Sequence, residues 1–342
     1  MPVQLQRCVR GLSVALALAV LALASGCYHY NQVPAGVTQQ VLDLKVGGLT
    51  QRYTVLGPVP TLGSQSRKQS AVLLLHSGFS GDESVTSEMA RALALRGMLV
   101  VMPAYRGQVR RADGKRSEGN IEFCDGEVED AQAALDWLRL QPTVDVARLA
   151  VMGASHGGCI SLRLAERNAD LRAVVTLSAP VSAAQLVRYL QENPAGTFFY
   201  NGILAAQLKS YVKSAPEQDM AAYAERSPLF SADKLTMPLL VIHGANDSIV
   251  PVLHACFLKS ALTDNGRIVR EMWMNADGGL RDLATSPCVS KKPQLAPPPV
   301  ATQPQSSVAE FVFLQNQNHI YEKKYRKYVH DLVIEFLVRE MH

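Results

Sequence analysis

The chain has 342 residues, 48% of them hydrophobic and 19% charged, with a formal net charge of +4. This length can bury a sizeable core, and the composition excludes a disordered or fibrous protein. So even a charge balance argues against nucleic acid as a partner and against electrostatic attachment to a membrane.

Arg7 and Arg10 precede an apolar run, GLSVALALAVLALA, that ends in Ser25-Gly26-Cys27. A basic start, a short apolar stretch and small residues at a cleavage point describe an export signal over 1–26, too short for a comfortable membrane span. The ending ALASGC resembles a bacterial lipoprotein signal, although Ala24 stands where leucine is most frequent. That resemblance implies a lipid on Cys27, which would become the mature N-terminus, and a place in the bacterial cell envelope. An uncleaved anchor or a plain secretory signal is the alternative. Residues 27–40 then read as a tether and 41–342 as the folded domain.

Along the domain, VLDLKVGG and QRYTVLGP alternate around a Gly-Gly turn and predict an antiparallel hairpin. AVLLLH (71–76) is a buried strand, SEMARALALRG a helix and GMLVVMPAY a second buried strand. A polar loop from Arg106 to Cys124 leads into the helix GEVEDAQAALDWLRLQ, where Val128, Ala131, Leu135 and Leu138 share one face. Then come the strand LAVMGA, the helix HGGCISLRLAERN and the strand AVVTLSAP. After a mostly helical stretch (181–236) follow the strand PLLVIHG, the helix HACFLKSALT, the strand-like AEFVFLQ and a C-terminal helix. Apolar strands alternating with helices imply an α/β fold: a mostly parallel, mixed sheet covered on both faces, its first strands antiparallel. Segment 181–236 lies over the carboxyl edge of the sheet and reads as a helical cap with the substrate pocket beneath it. Segment 275–308, rich in Pro and Ser, reads as a surface insertion.

The carboxyl edge is where sites form in such sheets. There Gly153-Ala154-Ser155-His156-Gly157 follows a strand and opens a helix, the strand–turn–helix setting of a nucleophilic serine. A serine needs a base, and the base an orienting acid, in the chain order Ser, acid, His. Asp247 sits in the loop after the strand LLVIHG, whereas Asp264, Asp277 and Asp282 fall in a helix end and in the insertion. His319 sits in a loop between a strand and the last helix. His243 precedes the acid, and His254 and His330 lie within helices. Asp247 and His319 are therefore the candidates. The 72 residues between them exceed what one helix and one strand need, and the insertion accounts for the excess.

The oxyanion donors are expected to be the backbone N–H of His156, with its ring at the pocket wall, and that of Gly78 in HSGFSG, with Phe79 next. His76 reads as a loop-fixing histidine, and Tyr105 as a hydroxyl donor or an aromatic of the pocket. Cys124, Cys159, Cys256 and Cys288 are an even number in an oxidising compartment, so one or two disulfides are expected with undetermined pairing. No Cys/His spacing suggests a metal, and no motif calls for a cofactor.

HSGFSGDES, YRG (105–107), GEVEDAQAALDWL, VDVARLAVMGASHGG and ERSPLFSADKLTMPLLVIHGANDSIVP together resemble the catalytic domain of the prolyl oligopeptidase family and, more distantly, the dienelactone hydrolases. The resemblance implies an α/β-hydrolase fold with Ser155, Asp247 and His319 as triad and Gly78 and His156 as oxyanion donors. Only a short hairpin precedes the first buried strand, so a gating propeller is missing, which weighs against a peptidase more than against a hydrolase. The first expectation is a carboxylesterase acting on small esters through an acyl-enzyme, with a short-peptide peptidase close behind. Acyl transfer to another acceptor and a non-catalytic surface lipoprotein on the same fold stay open.

Overall fold

A hairpin opens the domain because Gly47 and Gly48 both adopt positive φ, +55° and +85°, and turn the chain back on itself. The computed structural model describes residues 33, 35–59, 68–79, 84–110, 112–194, 200–282, 286–288 and 305–341. The predicted signal over 1–26 and Cys27 lie outside the described residues. The tether prediction ends too late: strand β1 (Val37–Val46) already pairs with β2 (Leu49–Pro58) from Val37 onward.

Among the described residues, ten strands form one sheet in the order β1-β2-β4-β3-β7-β8-β9-β12-β10-β11. Here β3 is Gln69–Leu75, β4 Leu99–Ala104, β7 Val144–Ala154, β8 Ala173–Leu177 and β9 Leu239–Gly244. The others are β10 (Arg267–Met274), β11 (Leu280–Asp282) and β12 (Gln305–Leu314). Pairing is parallel from β4 through β10 and antiparallel at the β1–β2–β4 and β10–β11 ends. Strands β8 and β9 are buried along their length, and their largely apolar sequences follow from having both faces covered.

Helices α1 (Ser84–Ala94) and α8 (Lys323–Met341) pack on the sheet, α1 against β2, β3 and β4, and α8 against β7, β8 and β9. Helices α2 (Gly126–Arg139) and α3 (His156–Ala165) pack on each other, and α7 (Leu253–Asp264) on β10. The predicted face of α2 is the buried one, with Glu127 and Glu129 in its first turn where the helix dipole favours acids.

The 181–236 stretch is helical: α4 (Ala183–Glu192), α5 (Tyr200–Val212), α6 (Met220–Glu225) and a 3-10 turn, Pro228–Lys234. Its apolar residues, Val187, Leu190, Leu208 and Leu229 among them, belong to the main core. Arg226 ties it down by an ion pair to Asp125 at 2.6 Å and a hydrogen bond to the Glu122 carbonyl at 2.9 Å.

Three expectations are corrected. The polar loop 106–124 contains a two-stranded ladder, β5 (Val109–Arg110) with β6 (Lys115–Arg116), held because Arg110 is buried against Asp113 and Asp43 at 2.6 and 2.7 Å. Between Asp247 and His319 stand two strands more than expected, β10 and β11. Segment 275–308 is not wholly a surface loop. It supplies β11 and the start of β12, and Cys288 within it is bonded to Cys256 of α7. Residues 283–285 and 289–304 of that segment lie outside the described residues. The second disulfide joins Cys124 to Cys159. Each closes a loop of 35 or 32 residues, contributing about 4 kcal/mol on a chain-entropy account.

Candidate active site

Strand β7 ends at Ala154, and the chain turns sharply into α3 with Ser155 at φ +51° and ψ −117°. A non-glycine residue rarely holds this conformation, so its surroundings must enforce it. They do: the Ser155 amide donates to the Leu177 carbonyl at 2.7 Å, and the backbone closes in on every side. A Cβ on Gly153 would lie 2.1 Å from the Gly157 carbonyl oxygen, and one on Gly157 would lie 2.2 Å from that of Leu75. The glycines flanking the serine are thus steric requirements of the turn.

His319 follows β12 through a turn that docks on the loop after β9. The Ala245 amide donates to the Leu314 carbonyl and the Asn246 amide to that of Gln317, at 3.0 and 2.9 Å. Asn318 completes the join: its Oδ1 accepts from the Ser248 amide at 2.9 Å and from the His319 amide at 2.7 Å. The sequence reading passed over Asn318. Its signal was there, since a short polar side chain beside the base can bond local backbone.

These two loops bring the three predicted residues together. His319 Nδ1–H donates to Asp247 Oδ2 at 2.8 Å, and Ser155 Oγ–H donates to His319 Nε2 at 3.0 Å. The tautomer follows from the partners, because a carboxylate can only accept. Asp247 Oδ1 takes the amides of Ile249 and Val250 at 3.0 and 2.9 Å. Burial alone would raise this carboxyl. The nearby His319 imidazole, its hydrogen bond, His243 and the Val250 amide outweigh burial and hold it below the usual carboxylate range. His243 stands behind the acid and donates its Nε2–H to the Val250 carbonyl at 2.8 Å, so it orders the acid loop.

The His156 ring departs from expectation. It is only 2% exposed and stacks on Phe123 with centroids 5.3 Å apart, so it does not form the pocket wall. Its Nε2 accepts the Cys124 amide at 3.2 Å, and its Nδ1–H donates to the Gly78 carbonyl at 3.4 Å. The ring thereby links the 122–125 turn to the HSGF loop. Phe123 and Cys124 both have positive φ, +57° and +58°. Glu127 holds that turn by accepting the amides of Glu122 and Phe123 at 2.8 and 3.3 Å. Since the Gly78 carbonyl faces the ring, planarity directs the Phe79 N–H of the same peptide to the opposite side. Tyr105 is buried with its hydroxyl donated to the His76 carbonyl at 3.3 Å, so it lends none to the site.

A cavity of about 150 Å³ reaches Ser155 and His319, and it is not where the sequence placed it. Among the described residues, none of its lining comes from 181–236. It lies between the sheet and the helices α1 and α8, with Leu75, Met89, Met152, Leu177 and Val329 on its walls. Among the described residues, no group of His, Cys, Asp and Glu is arranged to hold a metal.

A family model described as the prolyl oligopeptidase family matches residues 84–279, more than half of the chain. The chain belongs to the prolyl oligopeptidase family. Ser155 and Asp247 of this family member fall inside the matched stretch, and His319 falls beyond it. Acylamino-acid-releasing enzyme 2 of Oryza sativa is 25% identical over 214 residues, 62% of this chain and 28% of that one. Esterase EstD of Thermotoga maritima is 27% identical over 229 residues, 60% of this chain and 51% of that one. A puromycin-hydrolysing peptidase of Mycobacterium tuberculosis superposes with a TM-score of 0.65 at 19% identity, covering 90% of this chain and 40% of that one. That likeness shows the α/β-hydrolase fold. The chain spans between about a quarter and three-fifths of the length of the first curated relatives it matches.

Burial around the site has a consequence for stability. It lowers His156 to about 4 and His254, whose Nδ1 accepts the Val181 amide, to about 3, both from 6.5. Below pH 6.5 the unfolded chain takes up these protons while the folded protein refuses them. Stability therefore falls with pH, down to about 4 for the first and about 3 for the second. At pH 5 each costs about 2 kcal/mol relative to pH 7.5. Asp247, held low, loses its own contribution only at still lower pH. Buried Glu166, raised to about 8, acts in the opposite direction over this range, so the histidine effect is read as a difference. In urea unfolding, wild type is expected to lose about 2 kcal/mol more between pH 7.5 and 5 than His254→Gln. An equal loss in the two proteins would contradict a buried neutral His254 ring.

Proposed function

We propose that the chain is an exported, lipid-anchored serine hydrolase that cleaves carboxylic esters through an acyl-enzyme. One observation carries this reading: the continuous hydrogen-bonded series Ser155–His319–Asp247, at 3.0 and 2.8 Å, on a strained turn that exposes the serine. Ser155 Oγ attacks the ester carbonyl carbon while His319 Nε2 takes its proton, and Asp247 stabilises the resulting imidazolium. The carbonyl oxygen becomes an oxyanion held by the His156 N–H, an orphan donor at the start of α3, and by a donor from the Gly78–Phe79 turn. There the orientation of the Gly78 carbonyl favours the Phe79 N–H. When the C–O bond breaks, the alkoxide takes the proton from His319 Nε2 and leaves as the alcohol. Water then adds to the acyl-enzyme by the same steps and frees the acid and Ser155.

The second reading is a peptidase for short peptides, favoured by the name of the Oryza sativa relative. Both bonds suit the same residues, and an alkoxide is the easier leaving group. Export is supported by the run ending in Cys27 and by two disulfides, which persist in oxidising compartments.

One experiment tests both parts. p-Nitrophenyl esters and aminoacyl-p-nitroanilides are assayed on membrane and soluble fractions from cells making the wild type or Cys27→Ser. Ester hydrolysis in the membrane fraction, shifted to the soluble fraction by the substitution, is expected. Turnover of anilides without esters would reverse the order of the two readings. Membrane retention of Cys27→Ser would remove the lipid anchor.

A further inference from the structure

The cavity shared by Ser155 and His319 has a chemistry of its own. Its walls are mainly apolar, from the ends of β3, β7 and β8 and from the inner faces of α1 and α8. Of its polar lining residues, which also include Ser77, Arg326 and His330, Ser178 and Tyr321 satisfy each other through a hydroxyl–hydroxyl hydrogen bond at 2.9 Å. Ser178 is also held at φ +47°, a conformation that costs energy and that persists because the packing around it over-determines it. A cavity of this size admits a molecule about as large as benzene. One wall residue, Ile320, is 79% exposed, so the cavity opens to solvent beside the catalytic histidine.

We infer that this cavity is the subsite for the leaving group, and that the natural substrates carry an apolar alkyl or aryl alcohol of about four to six carbons. The inference rests on the serine hydrolase reading above. The assignment to the leaving-group side comes from the walls. His319 delivers the proton to the departing oxygen, and the cavity is bounded by His319 with the next two residues, Ile320 and Tyr321, and by Ala154 just before the nucleophile. The proposed oxyanion donors lie elsewhere, at the start of α3 and in the Gly78–Phe79 turn. An alcohol seated here has its oxygen at His319 Nε2 and its chain in the cavity. The C–O bond breaks, the oxygen takes that proton, and the alcohol departs past Ile320.

The test is a series of n-alkyl acetates, ethyl to decyl, whose leaving groups have closely similar intrinsic reactivity. Wild type is expected to gain about fourfold in kcat/KM per methylene that enters, with the gain ending near six carbons as the cavity fills. Val329→Phe fills the cavity and Ile320→Trp obstructs its mouth, and each is expected to lower the hexyl-to-ethyl ratio at least about tenfold. Ile320 is exposed enough that its substitution is compatible with folding even if Val329→Phe is not. A fluorophosphonate probe reports an intact nucleophile in every protein used. A labelled wild type with a flat series, or with no turnover of any member, overturns the subsite. So does an unchanged ratio in the labelled variants. A folded wild type that takes no label overturns instead the hydrolase reading on which the subsite depends.

Discussion

Ser155→Ala is expected to lower kcat by about 10⁶-fold and to abolish labelling by fluorophosphonates, with the fold intact. Both residues carry a Cβ, so alanine meets the same steric demand at φ +51° and keeps the backbone bond to the Leu177 carbonyl. The substitution removes only Oγ, the acceptor of the acyl group. His319 loses its partner on one side and keeps Asp247 on the other. The residual rate reports what the oxyanion donors and substrate positioning supply alone. Labelling of the variant at another residue, or a loss below about tenfold, would show that the nucleophile is elsewhere. Unfolding midpoints of the two proteins should coincide, which separates loss of chemistry from loss of fold.

The site was legible because each of its side chains sits where a local pattern changes. Ser155 stands between an apolar strand and a helix, Asp247 follows a buried strand and His319 lies between a strand-like run and the last helix. Parallel topology puts all such junctions on one edge, so chain order and placement sufficed. What stayed hidden depends on contacts across the chain. Four cysteines allow three pairings, and spacing carries no distance, so Cys124–Cys159 and Cys256–Cys288 needed the folded chain. Strand β10, RIVREMWM, mixes charges with apolar residues, because its neighbour β11 is short and exposed and the outer face stays wet. The His156 ring gains its role from Cys124 and Gly78, 32 and 78 residues away. The cavity likewise joins Met89 of α1 to Val329 of α8, and no stretch of sequence contains it.

Asp247→Asn is expected to cost about 10⁴-fold in kcat with little change in KM, because it reverses the tautomer of His319. The amides of Ile249 and Val250 both donate to Oδ1. In the variant only the amide oxygen of asparagine can satisfy them, which turns its NH₂ toward His319 in place of Oδ2. That NH₂ is a donor, so Nδ1 must accept and the ring proton moves to Nε2. Nε2 then faces Ser155 as a donor and cannot take the hydroxyl proton. His243 cannot compensate, since its Nε2–H is committed to the Val250 carbonyl and its Nε2 lies 3.6 Å from Asp247 Oδ2. Fluorophosphonate labelling should slow in step with kcat, since both need the serine deprotonated. Nitrogen NMR of the His319 ring adds a readout that a general loosening of the fold would not give: the protonated nitrogen should change from Nδ1 in wild type to Nε2 in the variant. Retention of the Nδ1 proton, or a kcat within about tenfold of wild type, would remove Asp247 from the role of orienting acid.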